Sequence, residues 1–177
     1  SRAFGTGQHE TTAGCLTMLG WLKQRGVRPR WIADIGTGTG LLAIGALKLF
    51  PTANVIASDI DPVCAEIVEE NAGNNAIALG QRPGALHYVT APGMNHPALA
   101  SRAPYDLLIA NILAGPLIEL APAFARTLMP GARVILAGLL TTQEAKVPRA
   151  YQRQGLRGER RIADGDWSIL CLRNVRG

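Results

Sequence analysis

Short apolar runs alternating with helix-patterned segments constrain this chain more than anything else in it. The runs 31–35, 55–58, 85–89, 105–110 and 132–137 are too short for buried helices, and each is bounded by turn residues, so they predict strands. Between them, 41–49, 63–72, 116–128 and 142–154 carry apolar residues at helical spacing, and an earlier helix carries Leu16, Leu19 and Leu22. Strand–helix–strand alternation predicts an α/β fold: a parallel sheet with helices on both faces. The C-terminus breaks the rhythm. Residues 161–163 and 167–172 flank Asp164-Gly165, a dipeptide favoured in two-residue hairpin turns, so the sheet is expected to end in an antiparallel pair.

A chain of 177 residues, 47% of them hydrophobic, has the size of one compact domain with a real core, and residues 1–177 are expected to form one. No apolar run approaches the roughly 18 residues needed to cross a bilayer, and the first residues lack a signal-peptide pattern. A cytoplasmic location is expected. Cys15, Cys64 and Cys171 have neither a metal-ligand spacing nor a disulfide framework, and His9, His87 and His96 are not paired, so no metal site is expected. Net charge is +5, with an excess late in the chain at Arg149, Arg153, Arg157, Arg160 and Arg161. Aromatic residues are not interleaved with these arginines as single-strand binders require. They could be a footprint for something acidic such as ribosomal RNA, but read rather as a solvated helix face and the strand after it, so direct nucleic-acid binding is not expected.

Four segments carry candidate chemistry. Asp34-Ile35-Gly36-Thr37-Gly38-Thr39-Gly40 follows the first strand and opens a helix, where glycines let backbone approach a ligand closely. Residues 38–43 formally fit the dinucleotide pattern G-x-G-x-x-A, but here the strand already ends near Gly36 and an acid precedes the turn. Asp59 and Asp61 end the second strand. Asp61, before Pro62, suits a helix N-cap, which leaves Asp59 free to accept hydrogen bonds from ribose hydroxyls. Asn111 ends the fourth strand at the switch-point crevice, where a neutral amide can accept from an amine and donate to a carboxyl group, or can satisfy its own backbone as a turn asparagine. The polar stretch 4–12 enters the first helix, and its hydroxyls could close over a ligand or cap that helix.

At these residues the chain resembles the ribosomal protein L11 methyltransferase family, from Phe4 to the C-terminus. AFGTGQHETT at 3–12, DIGTGTG at 34–40 with SDIDP at 58–62, and NILAGPLIELAP at 111–122 carry the likeness. Amine and amide methyltransferases often show Asn-Pro-Pro-aromatic where this chain has Asn111-Ile112-Leu113-Ala114. The resemblance implies a seven-stranded, Rossmann-like fold dependent on S-adenosylmethionine. It implies donor contacts at Thr12, Gly36, Asp59 and Asn111, Thr12 resting on the resemblance alone; Gly38 belongs to the same glycine turn. It also implies methylation of lysine or N-terminal amines of ribosomal protein L11, with substrate grip in a separate N-terminal domain that these residues do not include. Segment 90–93 lacks the acid that often reads adenine, leaving backbone amides for that role. Two rivals remain at this stage. One is an NAD-dependent oxidoreductase, although Tyr151 has no lysine four residues on; the other is a non-catalytic module that binds the cofactor and docks.

Overall fold

The computed structural model describes residues 8–143 and 145–176, without the side chains of residues 8–10. Phe4 to Gly7 of the first motif fall outside the described residues. The chain runs α1 (Gln8–Gln24), β1 (Trp31–Ile35), α2 (Leu41–Leu49), β2 (Asn54–Asp59), α3 (Cys64–Asn74), β3 (Leu86–Thr90), α4 (Pro97–Arg102), β4 (Tyr105–Asn111) and α5 (Ala114–Arg126). It continues through β5 (Leu128–Leu140), a short 3₁₀ turn (Thr141–Gln143), α6 (Lys146–Gln152), β6 (Leu156–Asp164) and β7 (Trp167–Asn174).

These strands form one seven-stranded sheet in the order β3-β2-β1-β4-β5-β7-β6. The first five are parallel, and β7 enters antiparallel between β5 and β6. Both faces of the parallel part are covered, so buried positions run consecutively along β1, β2 and β4 rather than alternating. Ala33, Ile35, Leu108 and Ala110 point to a core shared with Leu117 and Phe124 of α5 and Tyr151 of α6. Ile32, Leu107 and Ile109 point the other way, to Met18 and Leu22 of α1, Ile44 and Leu47 of α2 and Val68 of α3. The chain leaves β1 toward β2 and β3, then returns to the other side for β4. The carboxyl ends of β1 and β4 therefore border a crevice that no crossover fills.

Several boundaries differ from the sequence pattern. Leu128 starts β5 instead of ending α5, because Thr127 closes the helix with its hydroxyl on the Phe124 carbonyl and accepts the Tyr105 N–H, turning the chain into the sheet. Residues 91–104, between the third and fourth strands, contain a helix absent from the sequence pattern, α4; His96 caps it through Nδ1 and Pro97 occupies its first turn. The helix read at 142–154 shortens to α6 behind the 3₁₀ turn. The hairpin turn sits one residue later than the dipeptide suggests. Asp164 pairs with Trp167, leaving Gly165 and Asp166 as the turn, with Gly165 at φ +59° in the first central position that a type II′ turn reserves for glycine.

Candidate functional site

The crevice is built from the glycine turn upward. Gly36 and Thr37 both donate their N–H groups to the Ser58 carbonyl, at 2.9 and 2.8 Å, which ties the turn to the end of β2. Gly36 has φ +74°, and the Ile112 side chain occupies the space its Cβ would need, so only glycine serves there. The far end of the turn is held by Asn71 of α3, whose side-chain amide donates to the Thr39 carbonyl at 2.8 Å.

Asp59 is locked by two backbone donors: Gly38 N–H to Oδ2 at 2.9 Å and Asp61 N–H to Oδ1 at 3.0 Å. Asp61 accepts the Val63 N–H at 3.0 Å and the Cys64 N–H on its carbonyl, so it caps the turn that leads into α3. The two acids thus divide the work. Asp61 braces the turn that precedes α3, and Asp59 stands at the tip of β2 bound to the glycine turn.

Asp34 lies beneath this turn, fully buried. Its Oδ2 accepts the Thr37 hydroxyl at 2.7 Å, while Oδ1 has no partner among the described residues. Burial pushes its carboxyl up to about 7, against the pull of the Thr37 hydroxyl and of the Ala43 N–H, which faces it from the first turn of α2 outside hydrogen-bond geometry; the Asp59 charge adds to the rise. Cys64, also at the crevice, is raised to about 11 by burial and then by Asp59 and Asp61. Its thiol stays protonated and acts as wall, not nucleophile.

Asn111, the last residue of β4, is 8% exposed, and its Oδ1 has no hydrogen-bond partner among the described residues. An orphaned buried acceptor costs stability unless a ligand or water meets it. Its position depends on β5. Gly138 sits at φ +85° where the β5–β7 register shifts, and a Cβ there would overlap the Ile112 carbonyl and come within 2.7 Å of its carbon. Strand β5 thereby lets the backbone after Asn111 cross close above it.

These elements enclose a cleft of about 480 Å³, and Thr12, Gly36, Gly38, Asp59 and Asn111 all line it. Thr12 reaches it from α1. The sequence pattern missed the apolar wall, formed by Leu41, Ile60, Ala91, Leu113 and Leu120. Ile60 and Leu113 are 71% and 44% exposed at the mouth, where a bound molecule could cover them. Gly138 did carry a signal, since an isolated glycine within a strand marks a bulge or a close backbone approach. Asn71 had none. Among the described lining residues the charged ones, Asp59 and Asp61, are both acidic. Among the described residues no group of three or more His, Cys, Asp or Glu could hold a metal ion, and no helix is long and apolar enough to cross a membrane.

A parallel sheet with a reversed seventh strand, a glycine turn after β1 and an acid at the tip of β2 define the methyltransferase class of α/β fold. The chain belongs to the ribosomal protein L11 methyltransferase (PrmA) family, whose pattern matches residues 2–175. It is 46% identical to the ribosomal protein L11 methyltransferase of Chelativorans sp. and 44% identical to that of Rhizobium meliloti, over 98% and 97% of this chain. It spans 57% and 56% of those relatives' own lengths. A ribosomal protein L11 methylase from Lactobacillus delbrueckii subsp. bulgaricus has a solved structure that superposes with a TM-score of 0.71 at 32% identity, over 93% of this chain and 78% of that one. A precorrin-6y C5,15-methyltransferase from Geobacter metallireducens shares the fold at 16% identity, with a TM-score of 0.69 over 93% of this chain and 87% of that one. An RNA methyltransferase from Salinibacter ruber, solved in complex with S-adenosyl-L-homocysteine, does so at 15% identity and a TM-score of 0.66, over 90% and 89%.

Proposed function

We propose that this chain binds S-adenosylmethionine in the cleft between β1, β2 and β4 and transfers its methyl group to an amine of ribosomal protein L11. The observation that carries the reading is the convergence of a pinned carboxylate, Asp59, and an unpartnered amide oxygen, Asn111 Oδ1, on one largely apolar cleft. Each Asp59 oxygen spends one acceptor site on a backbone N–H and keeps another, which suits the two hydroxyls of a ribose. Gly36 and Gly38 allow close approach beside it, and Thr12 closes the cleft from α1. A dinucleotide fits worse. The Gly38 N–H that would face a pyrophosphate is already given to Asp59, and both charged lining residues repel an anion.

When bound, S-adenosylmethionine would supply an electrophilic sulfonium methyl, so no acid catalyst is required. Asn111 Oδ1 then serves as the acceptor that orients the incoming amine. Leu113, Ile60 and Leu120 exclude water, which favours the neutral, nucleophilic form of a lysine amine. We infer further that the 177 residues act as one domain, that the acceptor is a lysine or N-terminal amine, and that the work is done in the cytoplasm where ribosomal proteins are made.

Intact-protein mass spectrometry tests the acceptor. L11 incubated with this chain and S-adenosylmethionine should gain methyl-sized increments that vanish with Asn111→Ala. Donor binding with no methylated L11, even at enzyme excess and with the N-terminal domain of a relative attached, would overturn the acceptor assignment.

A further inference from the structure

The end of the sheet remote from the cleft carries an unusual concentration of guanidinium groups. Strand register sets Arg133 of β5 opposite Arg173 of β7, and Arg173 opposite Arg157 of β6, so three arginines form one row across three strands. Arg173 follows Cys171, which faces the α1 side, so the row lies on that face. Beside it, Trp21 of α1 holds two more, with Arg25 at 4.9 Å and Arg160 of β6 at 5.0 Å from the ring centroid. One carboxylate stands among these five: Glu159 pairs with Arg133 through two hydrogen bonds of 3.0 and 3.1 Å. Arg133, then Arg173 and Arg25, hold its carboxyl below the usual range. Arg25, Arg157, Arg160 and Arg173 are exposed.

Like charges directly opposite one another across strands destabilise a sheet. Charged residues on β6 could guard a free sheet edge, but Arg133 and Arg173 sit on interior strands, where no edge needs guarding. The arrangement is therefore best satisfied by an external polyanion. Guanidinium forks match phosphate oxygens. A row of arginines along strands suits a backbone displayed across a broad surface, and A-form RNA presents its backbone and a wide, shallow minor groove in that way. The aromatic partner missing from the late arginines in sequence is supplied by Trp21, from the other end of the chain.

We propose that the row Arg133–Arg173–Arg157, together with Arg25 and Arg160 on Trp21, is a docking surface for the phosphate backbone of RNA. Fluorescence anisotropy with a labelled RNA hairpin of about 16 base pairs tests it. Four exposed arginines on a duplex predict a salt slope of about 3.6, hence a loss of about 150-fold between roughly 50 and 200 mM salt. The variant Arg157→Gln/Arg160→Gln/Arg173→Gln should weaken binding at least about tenfold. Arg149→Gln/Arg153→Gln, in α6 and just after its end, across the sheet, should leave it within about twofold. Glu159→Gln should tighten it, an opposite sign that holds even if the triple variant proves unstable. Absence of RNA binding, equal losses in the two sets, or weaker binding with Glu159→Gln would overturn the proposal. Equal affinity for a DNA duplex of the same length would overturn the RNA assignment. Displacement of RNA by polyglutamate at equal charge concentration would assign the surface to an acidic protein instead.

Discussion

The parallel half of the sheet and its antiparallel end are built on different terms. In β1, β2 and β4 most residues are buried, and the polar groups that line the cleft sit at the carboxyl tips: Asp59, Asn111 and the turn after Ile35. In β6 eight of nine residues are exposed or half-buried, and charge is spread along the strand. The parallel half cannot vary inside, so its chemistry gathers at one edge, fixed by backbone hydrogen bonds from three elements. The antiparallel end buries both faces of β7 but leaves the edge strand β6 largely open to solvent, presenting its side chains in rows. A site that must hold a small ligand to a fraction of an ångström belongs to the first kind of surface, and a broad charge-matching contact to the second.

The contrast predicts where substitutions should hurt. The largest effect is expected at Asp59. Asp59→Ala removes two acceptors for ribose hydroxyls, each hydrogen bond to a charged group being worth about 1.5–3 kcal/mol, so calorimetry should show donor affinity falling at least ~100-fold. Asp61→Ala, two residues on, should cost about 1 kcal/mol of stability through the lost cap and leave donor affinity within about twofold. If the two phenotypes were exchanged, the division of roles between the acids would be wrong.

Next comes pH. The Asp34 carboxyl sits near 7 in the folded chain, against 3.8 for an unburied group. A raised folded value means that its contribution to stability is complete below about pH 4 and is lost as pH climbs toward 7, since the unfolded chain releases the proton first. At about 1.4 kcal/mol per pKa unit the loss is a few kcal/mol. Urea unfolding between those pH values should show wild-type stability declining relative to Asp34→Asn, which keeps a partner for Thr37 without titrating. A constant difference would show that Asp34 does not titrate in this window.

A pair of glycines gives the smaller contrast. Gly138→Ala must displace the backbone at Ile112, so it should cost about 2 kcal/mol and weaken donor binding. Gly165→Ala, in the β6–β7 turn, meets no atom within 4 Å and pays only for its positive φ, about 1 kcal/mol, with no effect on the donor. Thermal melts with and without S-adenosylhomocysteine separate the two outcomes.

What could be read from the sequence follows the same line. The glycine turn 34–40, the strand-tip Asp59 and Asn111 are legible because each is a local pattern: strand, then tight turn, then helix. The bounds 31–35 and 41–49 coincide with β1 and α2, where Gly36 to Gly40 leave the chain no other place to turn. Contacts between distant segments were not legible. Asn71 on the Thr39 carbonyl, Ile112 filling the space beside Gly36, and Arg160 on Trp21 are set by register and helix docking, which no local spacing encodes. Helix α4 was missed because six residues cannot show a helical period, although His96 before Pro97 is a start signal.

The central claim is that the crevice at the carboxyl edge of the parallel half holds a methyl donor. Titrating the chain with S-adenosylhomocysteine and, separately, with NAD in a calorimeter addresses it directly. The account predicts one S-adenosylhomocysteine per chain, no heat from NAD, loss of binding with Asp59→Ala and unchanged binding in the triple arginine variant. Binding of NAD in preference, or S-adenosylhomocysteine binding that survives Asp59→Ala, would contradict it.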